Sequence, residues 1–469
     1  MRKILFWLPE DASIYSSAEV NYSAAYIKNK GFEVHRHSGI ENLSEVLESV
    51  KPDFIAVTSD GCHCSNFEFP KEITVYKKRY PETKIIGGVG VPNGNSYFDS
   101  NYDCGVCSGS SPALVLEDVL KGGESKGLLT SKGKLPLDMT PLRKSTRWVM
   151  LRTSRGCCNN CSFCSVKLHN PGYECLEPEK VLDILQNYND LYVTFADSSF
   201  EDPNTKRLKE ILRGIIDRKL NIKWGCNFRP NFYRKLEKDI ELQELLKTSG
   251  LKDVFIGVES ADNEGLKIYN KHTTIEESTN LIQWLRSNGI YVNIGFIPFH
   301  PWTTLEGLRK NIDWLEKYNF VNVEAISRIL GISDDNEKLK RKLRRDNLLN
   351  GKNIIFKDKK VEPLHHFMRG IADIPLFQEY DDTLNNIKTA WLDEKPYYEE
   401  LEAIKKVTGK HIAIWYRELL KLVENGFDES KATDITMKIL PANFIRNTID
   451  MMKGLQEESK CSNIEAVTV

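Results

Sequence analysis

The sequence predicts an α/β protein: a doubly wound parallel sheet in residues 1–125, an incomplete (β/α)6 barrel of the TIM type in residues 146–330, and helices over 331–469. Three observations predict it. Short apolar runs alternate with amphipathic stretches over the first 330 residues, as strands joined by crossover helices do. Glycines and other small residues close several of those runs in the first half. A loop with three cysteines, Cys157, Cys161 and Cys164, directly follows the first apolar run of the second half.

In the first half, 3–8, 33–37, 54–59, 84–88 and 103–107 read as strands, and 18–30, 40–50, 70–80 and 113–120 as helices, the first stopped by Gly31. Doubly wound sheets bind ligands at the carboxyl ends of their strands, which here carry Thr58, Ser59, Gly87, Gly88 and Gly109. Small residues there let a flat cofactor approach the backbone. A Gly/Ser/Lys-rich linker, 126–145, closes with Pro136 and Pro141. Strands then fall at 148–152, 191–195, 222–226, 253–258, 291–297 and 321–327, with helices at 178–188, 204–219, 240–248, 275–287 and 304–318. Chemistry in such barrels gathers at the carboxyl ends of the strands, where the cysteine loop lies. Beyond 330, helices are expected over 336–347, 378–391, 399–408, 412–425 and 438–453. Trp391, Tyr397, Tyr398, Trp415 and Tyr416 would face either a substrate cavity or the core.

Eleven cysteines scattered at random over 469 residues would give about 0.006 C-x3-C-x2-C triplets. A loop of that spacing can place three thiolates on three corners of a [4Fe–4S] cube, leaving one iron open to bind and reduce a small molecule. A zinc site would need a fourth ligand, such as His169 or Cys175, and structural zinc prefers paired C-x2-C knuckles. Cys158 breaks the spacing. Cys62, Cys64, Cys104 and Cys107 read as structural thiols or a second metal site.

Composition narrows the function classes. With 65 basic and 66 acidic residues, nothing suggests a nucleic-acid surface, and the basic run 338–345 reads as solvated helix. No apolar stretch approaches the ~20 residues that span a bilayer. The apolar start is too short for a signal peptide, and unpaired cysteines fit a reducing cytoplasm.

The loop, with Phe163 before its last cysteine, resembles the cluster-binding loop of radical S-adenosylmethionine enzymes. That resemblance implies an open iron chelating S-adenosylmethionine, and a flavodoxin or ferredoxin as one-electron donor. It also implies reductive cleavage to a 5′-deoxyadenosyl radical. The first half resembles the flavodoxin-like cobalamin-binding domain of the cobalamin-dependent, methyltransferase-like subgroup, Gly87-Gly88 matching its glycine pair. No D-x-H-x-x-G motif is present to ligate cobalt from below, as is common among the radical members. By resemblance, Asp197 flanks the amino group of S-adenosylmethionine, Arg229 matches an arginine common at that strand end, and Glu259 and Ser260 contact the ribose. Arg328 would pair the carboxylate. The plainer alternatives are a helix start for Asp197, a helix cap for Glu259 and a surface salt bridge for Arg328. His300 departs from the family's G-x-P-x-E-T pattern and is expected to contact substrate as acid, base or donor. Cys226 would donate a hydrogen atom or simply pack. The implied function is a cytoplasmic enzyme methylating an unactivated carbon of a peptide or natural-product substrate with cobalamin. A cobalamin-independent epimerase or cyclase and a non-catalytic corrinoid or cluster sensor are the alternatives.

Overall fold

The computed structural model describes the chain except residues 10–13, 59–68, 90–100, 107–110, 125, 130–147, 165, 167–171, 202, 333–335, 352, 391–394 and 459–469. Ser59, Gly109, Cys62, Cys64, Cys107 and Trp391, and the side chains of Tyr397 and Tyr398, fall outside the described residues.

The amino-terminal half is a six-stranded sheet of Lys3–Leu8, Glu33–Ser38, Phe54–Val57, Lys84–Gly87, Cys104–Val106 and Gly127–Leu129. Every pairing is parallel, in the spatial order second, first, third, fourth, fifth, sixth. The central strands are buried almost without interruption because both faces are covered. Ile4, Phe6 and Leu8 pack against Val20, Ile27 and Leu116 on one face. Leu5, Trp7 and Val57 pack against Leu47, Ile73 and Tyr76 on the other. The sixth strand lies in the stretch expected to be linker. Three residues are too few to show a period, and they become a strand only beside the edge Cys104–Val106.

The second sheet holds five parallel strands in sequential order: Trp148–Leu151, Tyr192–Phe195, Lys223–Phe228, Leu251–Glu259 and Tyr291–Phe296. The expected sixth strand is not one. Val323–Ser327 is a short helix, N-capped by Asn322, whose side chain accepts from the Ala325 N–H at 2.7 Å. Val323 and Ile326, three residues apart, bury together, so the helical period wins over the strand period. The sheet edge is met by a single parallel bridge, Phe299 to Ile329.

The carboxyl-terminal helices, Glu337–Arg345, Val361–Ala372, Pro375–Ala390, Lys395–Glu424, Glu429–Ile439 and Ala442–Glu458, build no core of their own apart from the barrel. One apolar cluster runs from Val149, Phe195 and Val254 of the barrel to Leu364, Trp415, Tyr416, Ile445 and Met452 of the helices. Trp415 and Tyr416 therefore belong to the core. The basic run lies on the first of these helices, with Leu339 and Leu343 buried beneath it. No helix among the described residues is long and apolar enough to cross a membrane.

Candidate active site at the cysteine loop

The loop leaves the first barrel strand through a two-stranded antiparallel ribbon, Ser154–Gly156 with Tyr173–Cys175, which the sequence did not announce. Asp197, fully buried at the end of the second barrel strand, holds the start of that ribbon. Its Oδ1 accepts from the Thr153 and Ser154 N–H groups at 2.6 and 2.9 Å, and its Oδ2 from the Thr153 hydroxyl at 2.6 Å. Both carboxylate oxygens are thus engaged in fixing the backbone. This differs from the contact with S-adenosylmethionine that the resemblance implied.

The far side of the loop is fastened to the turn after the fourth barrel strand. Ser162 donates its N–H to the Tyr269 carbonyl at 2.9 Å and its hydroxyl to the Ile268 carbonyl at 3.0 Å. Asn159 Nδ2 reaches the Lys271 carbonyl at 3.0 Å, and Asn270 Nδ2 reaches the Asn160 carbonyl at 2.6 Å. Asn336 caps its own helix with Oδ1 and donates Nδ2 to the Ser162 carbonyl at 2.8 Å. Phe163 packs edge-on against Tyr269, ring centroids 5.3 Å apart. The eight residues 157–164 are therefore tied down from two distant parts of the chain, and Asp197 holds the ribbon that leads into them.

Cys157, Cys161 and Cys164 are all free and half-buried. Burial pushes up the Cys161 thiol, to about 11, and the Cys164 thiol, with Lys271 opposing it in both, and each of these two feels the charges of its neighbours in the trio. Sulfur-directed donors are in place: the Asn159 N–H lies 3.4 Å from the Cys157 Sγ and its Nδ2 3.5 Å from the Cys161 Sγ. Among the described residues no three His, Cys, Asp or Glu side chains gather as ligands of a single metal ion. Thiolates on the corners of a cube stand farther apart than ligands of one ion, which all lie ~2–2.3 Å from it. The donor set, three thiols with N–H groups aimed at two of them, fits a cluster.

Lys271 and Glu259 form a buried ion pair beside the thiols, Nζ to Oε1 3.1 Å. Burial would depress the Lys271 ammonium, but Glu259 and the Cys161 thiol outweigh it and leave it raised. Glu259 ends its strand in the left-handed region, φ 67°, where the register with the fifth strand shifts. Gly257 makes room for the pair: a Cβ there would sit 2.6 Å from Glu259 Oε1 and 2.9 Å from Lys271 Nζ. Ser260 accepts from the Asp262 N–H at 3.0 Å and donates to Asn311 at 3.3 Å. Its hydroxyl is thereby part of the turn.

Arg229 pairs with Glu201, Nε to Oε1 2.5 Å, and feels the thiols of Cys157 and Cys158. Glu201 is almost wholly buried and its Oε2 has no partner among the described residues. The two line a cavity of about 260 Å³ with Cys158, Arg234 and Lys235. Glu201, four residues past Asp197, is the acid with a spare oxygen beside the loop; its place in the same acidic turn was the available signal. Arg328 is half-exposed and paired with Glu324 one helical turn back. Cys226 is buried in the barrel core, its thiol pushed up by burial, so packing accounts for it.

His300 is buried and pushed down to about 4 by that burial, which leaves it neutral at neutral pH. Its Nδ1 accepts from the Trp302 N–H at 3.2 Å, which places its proton on Nε2. The ring stands edge-on to Tyr269 at 5.3 Å. In this environment it is a neutral donor.

At the other sheet, Gly87 is explained by packing, since a Cβ there would strike the Tyr102 ring at 2.8 Å. Gly88 takes φ 75° with the Val106 carbonyl 3.3 Å from a built Cβ. Thr58 is buried at the carboxyl end of the third strand, and its hydroxyl has no partner among the described residues. An orphaned hydroxyl on that edge fits a ligand, while the glycine pair alone does not require one. Cys104 is buried, its thiol pushed up to about 12.

Residues 151–315 match the model of the radical SAM superfamily, so the chain carries a radical SAM domain. Such domains use a [4Fe–4S] cluster and S-adenosylmethionine. Among curated relatives, an anaerobic magnesium-protoporphyrin IX monomethyl ester cyclase of Rubrivivax gelatinosus is 33% identical over 303 residues, 60% of this chain and 52% of that protein. A 4′-phospho-dehydrooxetanocin synthase of Priestia megaterium is 31% identical over 46% of this chain and 31% of its own length. The chain thus spans about half of the first relative and about a third of the second. The cobalamin-dependent S-adenosylmethionine radical enzyme OxsB with aqua-cobalamin bound superposes at a TM-score of 0.59 and 17% identity, covering 97% of this chain and 80% of that one. At that identity the likeness concerns the fold.

Proposed function

We propose that this protein is a radical S-adenosylmethionine enzyme that methylates an unactivated carbon of a peptide or natural-product substrate with the help of cobalamin. The observation that carries the radical reading is the cysteine loop, tied at the carboxyl end of the first barrel strand to the turn after the fourth. Cys157, Cys161 and Cys164 would hold the cluster. Bound there with S-adenosylmethionine, it supplies a 5′-deoxyadenosyl radical when an external one-electron donor reduces it.

The chain's own residues hold and shield. Arg229 would meet the carboxylate of S-adenosylmethionine, and the spare Oε2 of Glu201 would accept from an N–H of its amino group. Lys271 offsets negative charge gathered on the thiolates, and Glu259 keeps that buried ammonium paired. The His300 Nε2–H is a neutral donor in a site closed by Tyr269 and Trp302. Cobalamin is supported by the parallel sheet with its orphaned Thr58 hydroxyl and by the structural likeness to OxsB. Methyl transfer is supported by relatives named as methylases, including a hopanoid C-3 methylase of Methylococcus capsulatus, 26% identical over 155 residues. The cyclase and synthase relatives favour a second reading, radical ring formation or rearrangement without methylation.

Anaerobic reconstitution with iron, sulfide and hydroxocobalamin tests this. Bound corrinoid together with 5′-deoxyadenosine, the latter abolished in Cys161→Ala, is the expected result. 5′-Deoxyadenosine without corrinoid would favour the second reading. Zinc in place of iron in the anaerobic protein would overturn both.

A further inference from the structure

The helix Lys206–Asp217 follows the second barrel strand and carries a buried arginine on its apolar face, Arg207, among Leu208, Ile211, Leu212 and Ile215. Burying a guanidinium is costly unless its donors are used. Two of its nitrogens are used on one object. Nε donates to the Leu176 carbonyl at 2.8 Å, where the chain leaves the ribbon around the cysteine loop. Nη2 donates to the Thr153 carbonyl at 3.1 Å and the Thr153 hydroxyl at 2.8 Å, where the chain enters it. The Leu176 N–H also reaches the Thr153 carbonyl, at 2.9 Å, and the Thr153 hydroxyl donates to the Asp197 Oδ2. One planar fork therefore grips the entry and the exit of the loop at once, and a neighbouring carboxylate locks the hydroxyl between them. The helix enters through Thr205 at φ 63°, a strained conformation for a β-branched residue, immediately before the turn that points Arg207 inward.

We propose that Arg207 is a positioning residue for the cysteine loop: it sets the separation of the loop's two ends, and through it the spacing of Cys157, Cys161 and Cys164. The purpose assigned to the loop rests on the radical reading above, whereas the clasp itself concerns only this chain's residues.

The test begins in the apoprotein, with alkylation by iodoacetamide followed cysteine by cysteine by mass spectrometry. Buried Cys226 serves as the reporter of global loosening. In Arg207→Gln the three loop thiols should react about tenfold faster while Cys226 keeps its wild-type rate, the mark of local opening. Arg207→Lys should fall between, because an ammonium cannot reproduce the fork. Arg213→Gln, on the same helix as Arg207, loses only an exposed pair with Glu241 of the helix Ile240–Thr248 and should match wild type. If Arg207→Gln does not fold, Thr153→Val removes the central hydroxyl in nearly the same volume and should show the same selective acceleration. After anaerobic reconstitution, the reduced cluster of Arg207→Gln should show shifted g-values and faster loss to a chelator. Loop thiols within twofold of wild type, or accelerating together with Cys226, would overturn the clasp. A wild-type protein that takes up no cluster would overturn the radical reading instead, with the alkylation rates still deciding Arg207.

Discussion

His300 marks the point where residue type and environment part company. An imidazole at a strand end suggests proton transfer, but this one is enclosed by Tyr269 and Trp302 and pushed down to about 4 by burial. As the pH falls below its ordinary 6.5, the unfolded chain takes up a proton that the folded chain refuses. The stability this histidine contributes is complete above pH 6.5 and disappears between about 6.5 and 4, up to about 3 kcal/mol. His365, packed against Phe299 and Phe356, is depressed to about 4 by burial in the same way. Urea unfolding at pH 7 and pH 5 should therefore show a drop for wild type that is visibly smaller in His300→Gln. Turnover between pH 6 and 8 should carry no inflection from His300. At this scale the sequence named the thiols, because their spacing alone carries the chemistry. It could not tell Glu201 from Asp197, since only packing decides which carboxylate has its oxygens occupied.

At the scale of elements, the apolar strands inside each sheet were legible, and the short or conditional ones were not. Gly127–Leu129 needs an existing edge, and 321–327 turned helical because Asn322 caps it. Two helices are expected at 399–408 and 412–425, yet Lys395–Glu424 is continuous through Gly409. Gly409 faces Val321 closely; a Cβ would stand 3.3 Å from the Val321 carbonyl oxygen and 3.4 Å from Val321 Cβ. It is there for close approach. Gly409→Ala should be nearly neutral in urea unfolding, a helix-propensity gain of ~1 kcal/mol offsetting the tight contact. Gly409→Leu should lose about 1–3 kcal/mol by overpacking, with unchanged helix content by circular dichroism.

Across the whole molecule, the two sheets meet at Tyr22. Its hydroxyl, on the first helix of the amino-terminal half, accepts from the Arg152 N–H at 2.7 Å, and the Arg152 guanidinium lies over its ring at 5.7 Å. Arg152 immediately precedes Thr153, the residue held by Asp197 and Arg207. Tyr22→Phe keeps the ring and removes the acceptor, and it should cost about 1–3 kcal/mol in a thermal or urea melt. Iron content after reconstitution should stay at the wild-type level, because Asp197 and Arg207 still hold the loop.

By itself the sequence determined the two parallel sheets, the place of the cysteine loop at a strand's carboxyl end and the order of its cysteines along the chain. These follow from local periodicity and from contacts a few residues apart. Only the tertiary structure decided that the carboxyl-terminal helices share the barrel's core and that the loop is held by Arg207, Tyr269, Lys271 and Asn336. Those partners are dozens to more than a hundred residues away, and burial and hydrogen bonding between such distant segments leave no periodic trace in the chain.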